Sequence, residues 1–168
     1  MVTAALQQVW DALDAVPDPE IPVVSIRELG ILRDVRQAAD GIEVIITPTY
    51  SGCPAMGQIQ DDIHAALGRH RIEARVTTQL APAWTTDWIS PTARDKLRSY
   101  GIAPPQTAAP DGTQVIHFAR RKNPVDAVPC PQCGSTHTTE TSHFGATACK
   151  ALYKCLDCRE PFDYFKPY

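Results

Sequence analysis

No stretch of this 168-residue chain approaches the roughly 20 consecutive apolar residues that a membrane-spanning helix requires, so a membrane protein is not expected. The N-terminus lacks the basic and apolar blocks of a signal peptide and carries Gln7, Gln8, Asp11 and Asp14 instead, which makes the cytoplasm the expected location. Positive charge is scarce as well. The formal net charge is -3 and the only basic run, residues 120–122, is short, so there is no general attraction to a phosphate backbone and nucleic acid is not an expected partner. Internal repeats and long low-complexity tracts are also missing, which sets aside solenoids and extended disordered chains. What remains, with 43% hydrophobic and 21% charged residues, is the composition of a globular protein.

Along that chain Leu6, Val9, Trp10 and Leu13 recur at helical spacing, and Pro17, Pro19 and Pro22 then impose an extended loop that carries Asp18 and Glu20. Residues 30–35 and 42–47 read as strands joined at Asp40-Gly41, a hairpin dipeptide. A helix follows from Met56, with Met56, Ile59, Ile63 and Leu67 on one stripe. Residues 72–80 then alternate strictly, as a strand with one wet face does. The strand, helix, strand order predicts a right-handed crossover and a parallel pair, hence a mixed sheet. Ser90-Pro91 starts a third helix and Gly101 suits its C-terminal cap.

The expected architecture is therefore α+β or α/β, a small mixed sheet packed against helices over residues 1–103. A linker at 104–128, with a short strand at 114–118, leads to a small module at 129–168. A unit of about 40 residues buries too little apolar surface to offset its chain entropy, which is a physical reason to build it around a metal.

That module holds Cys130-Pro131-Gln132-Cys133 and Cys155-Leu156-Asp157-Cys158, two turns of the kind that aims a pair of thiolates at one cation. In a reducing compartment such pairs read as a metal site rather than disulfides, and zinc is the preferred ion of a zinc ribbon. Iron or an iron-sulfur cluster takes the same ligands. Cys149, His137 and His143 lie nearby, the cysteine read as a small core residue and the histidines as solvated.

A sixth thiol, Cys53, lies in Thr47-Pro48-Thr49-Tyr50-Ser51-Gly52-Cys53-Pro54 between a strand and a helix. As the cap residue it would sit among free amides that favour a thiolate able to ligate iron or attack an electrophile; the alternative is a space-filling cysteine. Catalysis would need a base, and none is evident in the neighbouring sequence. Asp18 and Glu20 could supply oxygen ligands, although carboxylates between prolines are more often turn formers.

Asp18-Pro19-Glu20-Ile21-Pro22, Glu28-Leu29-Gly30 and the residues from Thr47-Pro48-Thr49 to Gly52-Cys53-Pro54 together resemble the α/β domain of iron-sulfur assembly factors of the SufT type. Trp84-Thr85-Thr86-Asp87-Trp88-Ile89, Tyr100-Gly101-Ile102-Ala103-Pro104-Pro105 and the ending Phe144-Gly145, Thr147-Ala148-Cys149-Lys150, Cys155 and Cys158 are similar to the PaaD family, accessory subunits of bacterial phenylacetyl-CoA epoxygenase systems. The resemblance implies a non-catalytic protein of phenylacetate catabolism that helps equip the reductase and oxygenase components with metal centres. By the same analogy Cys53 would handle a transient cluster or iron, with Asp18, Glu20, Thr47 and Thr49 shaping its pocket. Glu28 departs from the Asp common in those assembly proteins. A lone thiolate cannot satisfy a cluster that takes four protein ligands, so shared binding, for example in a homodimer, is expected. The competing expectation is a docking subunit that never touches iron.

Overall fold

The structure, a computed structural model, describes residues 4–39, 41–106 and 127–168. Asp40 and the segment predicted as a strand at 114–118 lie outside the described residues. The chain divides into two compact units, one of Met1–Lys96 with Tyr168 and the other of Leu97–Pro167.

The first unit begins with helix α1 (Ala4–Asp14), which buries Val9 and Leu13. Strands β1 (Leu32–Ala38), β2 (Gly41–Ile46) and β3 (Ala74–Thr78) form a sheet in the order β1-β2-β3, the first pair antiparallel and the second parallel. The sheet is mixed, as the crossover pattern predicts. Central β2 carries Val44, Ile45 and Ile46 in succession, all buried, because a strand with neighbours on both sides and cover on both faces needs no wet side. Helix α2 (Met56–Gly68) buries Ile59, Ile63, Ala66 and Leu67, while Met56 at its first turn is only half-buried.

Several boundaries differ from the sequence reading, and three of them bear on the site. Strand β1 starts two residues late because Gly30, at φ 73°, is still in a turn. A Cβ at Gly30 would stand 2.6 Å from the Cβ of Trp88, so the turn requires glycine for both its backbone angle and its clearance. Strand β3 stops at Thr78, the last residue paired with β2, and Leu80 is 61% exposed although the alternation assigns it to the covered face. Finally, α2 has Ala55 as its N-cap, so Cys53 precedes the cap by two residues instead of occupying it.

Residues 86–88 form a 3-10 turn, and helix α3 (Pro91–Tyr100) follows. Its N-terminus is capped by the Ser90 hydroxyl, which accepts the Ala93 amide at 3.0 Å, and Gly101 closes it at φ 94°. In the second unit β4 (Ile102–Ala103), β5 (Thr138–Ser142), β6 (Lys150–Cys155) and β7 (Pro161–Phe165) form a sheet in the order β4-β7-β6-β5. One apolar cluster in this unit joins Ala103, Val128, Phe162 and Tyr164 with Cys130 and Cys155. Among the described residues no helix is long and apolar enough to cross a membrane.

Candidate metal centre and the Cys53 loop

The two cysteine turns of the second unit are built alike. The amide of Cys130 donates to the Ser135 carbonyl at 2.9 Å, and that of Cys155 to the Glu160 carbonyl at 3.0 Å, five residues on in each case. The residue after each second cysteine takes a left-handed backbone, Gly134 at φ 75° and Arg159 at φ 69°. Two such turns face each other, and their four sulfurs lie within 4.8 Å of one another. Cys130 Sγ and Cys158 Sγ are 3.7 Å apart, Cys133 Sγ and Cys155 Sγ 3.6 Å. A tetrahedron with metal–sulfur bonds of about 2.3 Å has edges of about 3.8 Å, whereas a disulfide would bring two sulfurs to about 2.05 Å. The quartet fits a four-coordinate ion.

Its electrostatics say the same. Hydrogen bonding from the Cys158 amide draws the Cys155 thiol down to about 7. Cys158 accepts from the Glu160 amide, yet burial and the thiols of Cys155, Cys133 and Cys130 push it up to about 12. Cys133 accepts from the Ser135 amide and is also raised, by burial and by Cys155 and Cys130. Four thiols this close cannot all ionise unaided, and a dication is what would let them.

The other nearby candidates are engaged elsewhere. His137 Nδ1 is 3.0 Å from Asp157 Oδ1, His143 Nδ1 is 3.3 Å from Glu140, and buried Cys149 lies 3.0 Å from the Thr147 hydroxyl.

In the first unit Thr47, Thr49 and Cys53 share the connection from β2 to α2, the threonines buried and Cys53 half-buried. The Thr47 hydroxyl is buried without a hydrogen-bond partner. Asp18 and Glu20 lie on the loop after α1, where Asp18 Oδ1 accepts the amides of Glu20 at 2.9 Å and Ile21 at 2.8 Å. That carboxylate shapes its own turn. Among the described residues the ribbon quartet is the one group of three or more metal-ligating side chains whose ligand atoms converge, so Asp18, Glu20 and Cys53 form no second ready-made cage. A cavity of about 560 Å³ lined by Pro17, Pro22, Ser25, Glu28, Ser90 and Lys96 includes neither Cys53 nor the threonines in its walls.

Glu28 has a different task. Its carboxylate accepts the Ser25 amide at 2.9 Å while the Ser25 hydroxyl accepts the Glu28 amide at 3.2 Å, a reciprocal capping box, and Lys96 Nζ reaches its other oxygen at 2.7 Å. The S-x-x-E signature was the signal for it in the sequence.

Comparison with known proteins adds to this geometry. Over 162 residues, 96% of this chain and 92% of the relative, it is 48% identical to an Escherichia coli K12 protein named, provisionally, as a component of 1,2-phenylacetyl-CoA epoxidase. The chain belongs to the PaaD family. Residues 116–166 match the model of the PaaD zinc beta ribbon domain, and residues 6–78 match that of an iron-sulfur cluster assembly protein. Over 101 residues, 60% of this chain and 92% of the relative, this PaaD-family chain is 32% identical to YitW of Bacillus subtilis, named an Fe-S protein maturation auxiliary factor. A DUF59 domain of unknown function from Bacillus anthracis superposes with a TM-score of 0.50 at 30% identity, covering 54% of this chain and 89% of that one. The assembly-type first unit and the zinc ribbon of the sequence reading are both PaaD features.

Proposed function

We propose that this chain is an accessory maturation protein of a phenylacetyl-CoA epoxidase system, helping its reductase and oxygenase components to acquire iron or an iron-sulfur cluster, and that it performs no epoxidation itself. The observation that carries the reading is the union, in one PaaD-type chain, of an iron-sulfur assembly domain over residues 6–78 with a ribbon over 116–166. Cys53 is the cargo-handling thiolate in this reading, and the orphaned Thr47 hydroxyl, with Thr49, is a polar group that the cargo or its ligands can satisfy. In the same reading Asp18 and Glu20, on the loop after α1, help to shape the pocket of Cys53. Because Cys53 belongs to no converging group of three or more ligating side chains among the described residues, the cluster is held transiently, the remaining ligands coming from the recipient or a second copy. In the ribbon Cys130, Cys133, Cys155 and Cys158 hold zinc, which supplies a structural crosslink and no redox chemistry.

Anaerobic reconstitution with iron and sulfide tests the role of Cys53: wild type is expected to take up cluster and Cys53→Ala to lose it, while equal uptake would remove Cys53 from the mechanism. A second reading, a docking protein without iron handling, is favoured by the relative's designation as part of the epoxidase itself. The iron content of the epoxidase components made with and without this chain separates the two.

A further inference from the structure

Asp157, inside the second cysteine turn, reaches across to the first. Its Oδ2 accepts the Ser135 hydroxyl, and its Oδ1 lies 3.0 Å from His137 Nδ1. Ser135 is itself the residue whose carbonyl closes the first turn by accepting the Cys130 amide, and its hydroxyl also accepts the His137 amide at 3.0 Å. Leu156, beside Asp157, donates its amide to the His137 carbonyl at 2.8 Å. One carboxylate thus ties together two side chains that follow the first cysteine pair, and it does so from between Cys155 and Cys158.

We infer that Asp157, through Ser135 and His137, is the positioning clasp that keeps the two cysteine turns at metal-holding distance and so governs how slowly the ribbon releases its ion. The inference rests on the reading that the quartet binds zinc. None of the three side chains ligates the metal; they act on the ligands. Partners at one remove from a metal typically change affinity by about 10–100-fold when removed. Asp157 and His137 are exposed, so the lower end of that range applies.

The test uses full-length zinc-loaded protein and a chromophoric chelator in excess. Asp157→Ala is expected to release zinc about tenfold faster than wild type, and the Ser135→Ala and His137→Ala pair to do so from the other side of the clasp. His143→Ala, whose ring meets Glu140 and Phe144 instead of either cysteine turn, is the control and should release at the wild-type rate. Cobalt-loaded protein supplies a signature that general destabilisation does not move: the visible bands of tetrahedral cobalt should broaden or shift in Asp157→Ala while the helical circular dichroism of the first unit stays unchanged. Release within about twofold of wild type in both the Asp157 and the Ser135/His137 variants, with unaltered cobalt bands, would overturn the clasp. Wild-type protein that binds neither zinc nor cobalt would instead overturn the reading of the quartet. If Asp157→Ala does not fold, the Ser135/His137 variant carries the same comparison.

Discussion

Thr47 keeps a hydroxyl buried with no hydrogen-bond partner, and an orphan of that kind costs about 1–3 kcal/mol. Natural chains shed such costs unless the group has another use. Replacement by valine, nearly the same shape without the oxygen, is therefore expected to raise stability by about 1 kcal/mol in urea denaturation and to lower cluster uptake in the reconstitution assay. A stability loss would show that the hydroxyl has a partner in the folded protein. Of the residues nominated from sequence, the four ribbon cysteines were legible because two CxxC turns leave little else for the thiols to do. The duty of Asp18 was harder to see, since a carboxylate that binds its own loop amides reads in sequence like one that binds a metal. Cys53 was misplaced by two residues because Pro54 reads as a first helical residue, while the chain takes one more turn before α2 begins at Met56.

Elements depend on single residues at their ends. The second cysteine turn places Arg159 where the first has Gly134, and a side chain at positive φ is strained by roughly 1 kcal/mol. Arg159→Gly should therefore leave thermal stability level or raise it slightly, whereas Arg159→Val should lower it by about 1–2 kcal/mol. The turn of residues 25–30 gives a pH prediction. Burial pushes the Glu28 carboxyl up, but its hydrogen bond and ion pair with Lys96 and its bonds with Ser25 outweigh this and hold it below the usual carboxylate range. A folded-state value below the unfolded one, near 4.3, stabilises above the unfolded value and loses that contribution as pH falls through the folded one. Glu28→Gln keeps the capping geometry and loses the charge. Wild type should exceed it in stability by about 0.5 kcal/mol at about pH 7, given an exposed Lys96 partner, and the gap should close below about pH 4. The capping box could have been found from Ser25 and Glu28 alone. The early stop of β3 could not, because alternation continues after the neighbouring strand has left.

At the scale of the whole molecule, the two units draw stability from different sources. The first has an extended apolar interior that includes Val9, Leu13, Ile26, Leu29, Ile46, Ile59 and Ile63, all buried. The second has fewer buried apolar side chains, among them Phe162, Tyr164 and Phe165, and packs Cys130 and Cys155 into one of its apolar clusters, so a metal crosslink is expected to carry much of its stability. Zinc removal with a strong chelator should therefore strip hydrogen-exchange protection from β5, β6 and β7 while β2 and α2 keep theirs. Retained protection in all of these strands would mean that the ribbon needs no metal.

The proposed maturation role requires that iron reach another protein. Its most direct test is the iron content, per polypeptide, of the reductase component of a phenylacetyl-CoA epoxidase system produced with this chain, without it, and with its Cys53→Ala variant. Full iron only beside the wild-type chain is the predicted result. Equal iron in all three preparations would contradict it.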